Sequence, residues 1–177
     1  MVQEAQLKRA ESGLEPAGDG WFVLNARDAK WHDGHFGAYT RFEGEPRFTQ
    51  IGVNIGVLSP GQPACFYHAE DNQEDFLVLF GACLLLIDGE ERPLRQWDFV
   101  HCPPWTEHVF VGAGDGSCAI LAVGARSSRD VVYPRSELAL RYSAGVERET
   151  RKPSEAYAEI PPDAEVGFRA GWLPEST

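Results

Sequence analysis

Paired cysteines are missing from this 177-residue chain. Cys65, Cys83, Cys102 and Cys118 are dispersed with no CxxC spacing, which excludes a zinc ribbon and a dithiol redox motif. Positive charge is scarce too: 16 Lys plus Arg stand against 27 Asp plus Glu, a net charge of -11. No broad field therefore attracts phosphate backbones or anionic lipid, and neither nucleic acid nor membrane is an expected partner. The longest apolar run, Leu77 to Ile87, is too short to cross a bilayer, and the start MVQEAQLKRAESG has no apolar signal-like segment. A soluble, cytoplasmic protein is the expectation. There is no GxGxxG opening a helix, no P-loop lysine and no GxSxG, so nucleotide-fold enzymes and serine hydrolases find no support. Internal repeats and the helical pattern of a DNA-reading helix-turn-helix are likewise absent.

What is present is a composition of 43% hydrophobic and 24% charged residues, which suits one globular domain. Residues 1–20 are polar, end in EPAGDG, and read as a leader, flexible or briefly helical, followed by a linker. Residues 21–125 carry short β-type segments: WFVLNA, HFGAYTRF, FTQIGVNIGVL, ACFYHAE, EDFLVLF, ACLLLID, RPLRQWDFVHC, HVFVGA and SCAILAVGA. SPGQP, DNQ, DGEE, PPWTE and GAGDG punctuate them with turn-forming residues. Such closely spaced strands without intervening helices predict an all-β sandwich or small barrel. The Asp88-Gly89 pair predicts a tight hairpin. Residues 126–177 read as an arm packed on the barrel, with two short helices N-capped by Ser136 and Ser154.

Five histidines are available for chemistry. His68 and Glu70 are two apart, so on a strand they share a face, roughly 6.6 Å apart by strand rise. A turn through Asp71, Asn72 and Gln73 lets Glu74 start the next strand and close on the same space. After Pro103-Pro104 the chain turns through Trp105 and resumes at His108, with Phe110 on the same face. Two imidazoles with one or two carboxylates form a competent set for one divalent transition metal, with Zn, Fe, Mn and Ni as candidates. His32 and His35 lie in the turn-rich WHDGHFG, and the face of His101 is left open by its distance across a turn from His108. Cys83 and Cys118 fall in apolar runs and read as core, and packing is favoured over nucleophilic catalysis for Cys102.

The spacing resembles the cupin superfamily, whose first motif is written G(x)5HxH(x)3-4E(x)6G and whose second is G(x)5PxG(x)2H(x)3N. His68, Glu74 and Gly81 stand at the spacing of the first, Pro103 and His108 at that of the second. Glu70 takes the place of the second His, six residues rather than five separate Gly61 from His68, Trp97 and Trp105 replace glycines, and Gly112 replaces the final Asn. The resemblance implies a double-stranded β-helix, or jelly-roll, with a metal held among the motif strands by His68, Glu70, Glu74 and His108. If Glu70 stays outside the shell, the remaining set is similar to the facial triad of non-haem iron oxygenases, and Glu70 becomes a candidate general base.

The expected function is therefore binding or conversion of a small molecule at a mononuclear divalent metal, of dioxygenase or isomerase type. The alternative is a non-catalytic ligand-binding or structural cupin with a degenerate site. Phe66, Phe76, Trp105 and Phe110 are expected to line a pocket, with Trp105 narrowing its entrance. A homodimer is expected, because small jelly-rolls leave sheet edges to cover. Metal affinity is expected to fall as pH drops through the histidine range.

Overall fold

The computed structural model describes residues 1–175 and sets two antiparallel sheets face to face. The larger contains β3 (Trp31–Gly34), β4 (Gly37–Arg41), β5 (Ile51–Leu58), β7 (Glu74–Phe80), β10 (Phe99–Cys102), β12 (Cys118–Ala125) and β14 (Ala164–Val166). Their spatial order is β10-β7-β12-β5-β4-β3-β14. The smaller contains β8 (Ala82–Ile87), β9 (Glu90–Arg95) and β11 (His108–Ala113), in the order β11-β8-β9. Two small pairs complete the strands: β1 (Gln6–Ala10) with β2 (Gly13–Ala17), and β6 (Ala69–Glu70) with β13 (Val131–Val132). This is the expected all-β jelly-roll, built as two facing sheets without one ladder that closes a barrel.

Strand register decides which side chains meet, because directly opposed residues project from the same face. Arg41 is paired with Asn54, Asn54 with Ala122, Ala122 with Phe76 and Phe76 with Val100. That face of the large sheet packs on the small sheet through a buried cluster that includes Leu58, Val78, Cys83, Leu85, Cys118 and Ile120. The opposite face carries Trp31, Ile55, Val57, Ala119 and, at the sheet edge, Val166, and is covered by Phe168 and Trp172. The outer face of the small sheet, with Leu86, Val109 and Val111, is covered by Leu138, Ala139 and Ala144. Residues after Arg126 thus cover both sheets.

Several local expectations are met by the backbone. Asp88 (φ 45°) and Gly89 (φ 79°) both adopt the left-handed region in a two-residue loop between Ile87 and Glu90. Helix α1 (Glu137–Arg141) is capped by Ser136, whose Oγ accepts from the Ala139 N–H at 3.3 Å.

Others need correction. The first twenty residues form the β1-β2 hairpin, held by long-range bonds that no local propensity reveals: Leu14 N donates to Asp28 O, and Lys30 N to Leu14 O. WFVLNA forms no regular strand; Asn25 instead starts a turn, accepting from Arg27 N at 2.9 Å. WHDG, read as loop, is β3. RPLRQWDFVHC breaks into β9 and β10 at Trp97, which has φ 77°. Only Ala69–Glu70 of ACFYHAE is regular strand, although Ala64 and His68 still bond to the backbone of β11. Helix α2 (Pro153–Ala156) begins with Pro153 after Lys152, so Ser154 lies inside it and caps nothing. Proline's fixed φ and missing N–H suit the first helical position.

Candidate metal centre

His68 and His108 face each other across two chain segments. Each backbone N–H donates to the other's carbonyl, at 3.2 and 2.9 Å, and the rings lie 5.0 Å apart between centroids. Glu74 opens β7, opposite Cys102 on one side and Gly124 on the other, and so projects into the space between the sheets. The side chains are then aimed by backbone anchors. His68 Nδ1 donates to Phe66 O at 2.8 Å, and His108 Nδ1 donates to Thr106 O at 3.0 Å. Carbonyl oxygens only accept, so the proton of each neutral ring sits on Nδ1 and the Nε2 lone pair points inward.

Those nitrogens meet carboxylate oxygens. His108 Nε2 is 3.4 Å from Glu74 Oε2, and His68 Nε2 is 4.0 Å from the same atom and 3.6 Å from Glu70 Oε1. One ligand atom from each of His68, Glu74 and His108 lies within 4.8 Å of the other two. Burial holds the His108 pKa down to about 4, helped by His68, and lowers that of His68. Burial also pushes Glu74 up to about 8, with the Glu70 charge adding to the effect. The two imidazoles are consequently neutral at pH 7 and neither Nε2 carries an N–H, so the only proton among the converging atoms is the one Glu74 retains. Coordination to a cation relieves that arrangement, and a donor set of two imidazoles and a carboxylate suits a borderline divalent transition metal. These values also shift the pH expectation. The histidines protonate below their ordinary range, and the competing proton near neutrality belongs to Glu74.

The remaining candidates distribute unevenly. Glu70 reaches His68, remains half-buried, and stands outside the compact three-residue set. Phe76 and Phe110 contact each other at 4.6 Å between centroids and line a cavity of about 230 Å³ beside the histidines. Phe66 turns away from that cavity and packs on Phe36 and Tyr157, contributing only its carbonyl to His68. Trp105 is half exposed, with Arg151 over its ring, and its backbone N–H donates to Glu70 O at 2.7 Å. It holds the Glu70 backbone rather than lining the cavity. Both tryptophans at motif-glycine positions keep a glycine-like backbone, with φ 77° at Trp97 and 68° at Trp105. Gly112 is required for another reason: a Cβ there would lie 2.1 Å from Ser59 O.

His32 stacks on Tyr39 and His35 packs on Phe36, away from the cluster. His101 bonds to Asp75 at 2.6 Å, on the face of β7 opposite Glu74. Cys83, Cys102 and Cys118 are buried in the apolar core. Sequence reasoning missed Cys65, whose Sγ is 3.6 Å from His68 Nδ1, and Tyr133, whose ring is 5.9 Å from that of His68. Burial pushes the Cys65 thiol up and Tyr133 to about 12. Cys65 is signalled only by its position three before His68, and Tyr133 directly follows β13, which reaches the site by its long-range pairing with β6.

A second opening, of about 340 Å³, is bordered by Glu70, Glu74, Arg126 and Tyr133 and shares Asn54 and Ala122 with the first. Residues 54–124, which include all four His/Glu residues, match the family described as Cupin domain. The fold is that of a cupin. A Cupin 2 conserved barrel domain protein from Salinispora arenicola has a similar structure, with TM-score 0.51 and 21% identity over 60% of this chain and 89% of the other. A sugar phosphate isomerase of the cupin superfamily from Silicibacter pomeroyi gives TM-score 0.48 and 22% identity, covering 84% of this chain and 86% of its own. At such identities the likeness concerns the cupin fold alone. A comparison with curated proteins finds no match.

Proposed function

We propose that the cupin domain holds one divalent transition metal through His68, Glu74 and His108, and that it binds or converts a small molecule there, in chemistry of the isomerase or dioxygenase type. The observation that carries this reading is the convergence of two Nε2 lone pairs and the Glu74 carboxylate, with each imidazole fixed from behind by a backbone carbonyl. Bound metal would supply Lewis-acid polarisation of a substrate oxygen, or activation of oxygen. The chain's own residues do the rest. The carbonyls of Phe66 and Thr106 keep the proton off Nε2 and hold both rings in place. Glu70, half-buried at the wider opening, is positioned to act either as a fourth ligand or as a base that accepts a substrate proton. Phe76 and Phe110 exclude water from one side.

Elemental mass spectrometry on untagged protein tests the reading, beside Glu74→Gln and a His68→Ala, His108→Ala double variant. Near-stoichiometric metal in wild type that disappears in both variants is expected. Wild type without metal, still empty after dialysis against Zn, Fe, Mn or Ni, would overturn it. Stoichiometric metal without turnover in oxygen-uptake and isomerase screens would favour the non-catalytic alternative.

A further inference from the structure

Next to the His/Glu cluster, the inner face of the large sheet is deliberately hollow in side-chain terms. A Cβ placed on Gly56 would meet nothing within 4 Å, and two residues beyond its β12 partner Ile120, toward the cluster, the same face carries only the small Ala122. Phe76, Phe110 and Ile120 wall the resulting slot of about 230 Å³. That volume is below the roughly 300 Å³ at which drug-sized pockets begin, so the occupant is small. Its body is apolar, to match these walls.

The mouth is different. Arg41 and Tyr39 border it, with Asn54 directly opposite Arg41. In a chain of net charge -11, some cations around this sheet are taken up by carboxylates: Lys30 by Glu15 at 2.6 Å, and Arg126 by both oxygens of Glu43 at 2.8 Å. Among the described residues, Arg27 and Arg47 are in no such pair, and neither is Arg41. The Arg41 guanidinium lies over the Tyr39 ring, 5.0 Å from the centroid. Arg41 also borders an opening lined by Glu43 and Glu165 without pairing to either, so its donors remain available to a carboxylate or phosphate. Arg41, Asn54, Ala122 and Phe76 occupy adjacent positions on four neighbouring strands, so about 14 Å of backbone separates Arg41 from Phe76 at ordinary strand spacing. Glu74 lies two residues further along β7.

We propose that this slot binds a small organic anion, a carboxylate or a phosphate ester on an apolar body. Arg41 takes the anionic group at the mouth, and the body lies over Gly56 and Ala122 with its other end toward the cluster. Only that last contact rests on the metal reading; recognition by Arg41 does not. Arg41 is a specificity residue that touches substrate, and its role is separable from metal binding.

Calorimetric titration tests the proposal with benzoate and phenyl phosphate as anionic probes and benzamide as a neutral counterpart of benzoate. Wild type, Arg41→Met and Gly56→Val are compared, with metal content and thermal unfolding read on the same samples. Wild type is expected to bind an anionic probe more tightly than benzamide, and the preferred probe distinguishes a carboxylate from a phosphate ligand. Arg41→Met should weaken the anion roughly 10- to 100-fold, as loss of a charge-assisted hydrogen bond does, and leave benzamide unchanged. Gly56→Val should remove all three, with metal content intact. Equal anion affinity in wild type and Arg41→Met, no preference for anion over benzamide, or no binding of any probe to folded wild type would overturn it. Absence of metal from wild type would sink the metal reading alone, since the Arg41 dependence is measured independently.

Discussion

The space between the two sheets has two ends built by the same strands, one packed solid and the other open. At the packed end β5 contributes Leu58 and β12 contributes Cys118, which oppose one another and join Val78, Cys83 and Leu85 in the core. A few residues along the same strands, the inward positions are Gly52, Asn54 and Gly56 on β5, and Ala122 and Gly124 on β12. The difference is side-chain volume at alternating positions of two neighbouring strands. It teaches that this fold makes its site by omission. The backbone ladder is continuous through both ends, so the open one loses packing without losing hydrogen bonds, and the cluster of His68, Glu74 and His108 occupies its edge.

The packed end should be the costlier to disturb. Leu85→Ala is expected to destabilise the protein by about 2–5 kcal/mol, the usual range for removing a buried leucine side chain, as measured by urea unfolding. A loss below about 1 kcal/mol would show that this end is also loosely filled.

At the open end the expected change depends on pH. Glu74 is raised from its ordinary 4.5 to about 8 in the folded chain, so its ionisation favours unfolding. Metal-free protein should lose stability as pH climbs through that interval. His108 is lowered from 6.5 to about 4, and its contribution is present above 6.5 and lost as pH falls toward 4. Between pH 6.5 and 8, therefore, Glu74 acts without this opposing trend. The gain in Tm on adding metal to chelator-treated protein should grow across this window. Glu74→Gln should flatten the fall in the metal-free state. Identical profiles for wild type and Glu74→Gln would contradict the assignment.

Smallest is the effect at the turns that flank the site. Trp97 and Trp105 hold left-handed backbone, which costs a non-glycine residue roughly 1–2 kcal/mol. Trp105→Gly should recover up to about 1 kcal/mol, because the glycine also loses more entropy on folding and the ring gives up Arg151. Calorimetric unfolding would show a modest rise in Tm, and a fall would mean that the Trp105 ring contributes more than its backbone strain costs.

Much of this organisation can be read in the order of residues. Alternating apolar segments and turn residues indicate an all-β fold, Asp88-Gly89 places a hairpin, and the spacing of His68, Glu74 and His108 marks one cluster. Each signal is local, or relies on the fixed two-residue period of a strand. The N-terminal hairpin and β3 were illegible because their stability comes from pairing with distant backbone. Phe66 borders a different opening, beside Val146 and Glu155, and Trp105 stays outside the slot next to the cluster, because motif proximity says nothing about ring direction near irregular backbone. His101 could be assigned only once the register paired it with Asp75.

The sequence by itself determined the class of fold, the strand parity around the cluster, and a donor set suited to a transition metal, because these depend on residue type and short spacing. Tertiary structure alone decided that Nδ1 of both histidines is tied to backbone carbonyls, that Arg41 stands beside Asn54 at the mouth of a slot, and that Tyr133 borders the cluster. Those relations join segments dozens of residues apart, and only the packing of one sheet on the other brings them together.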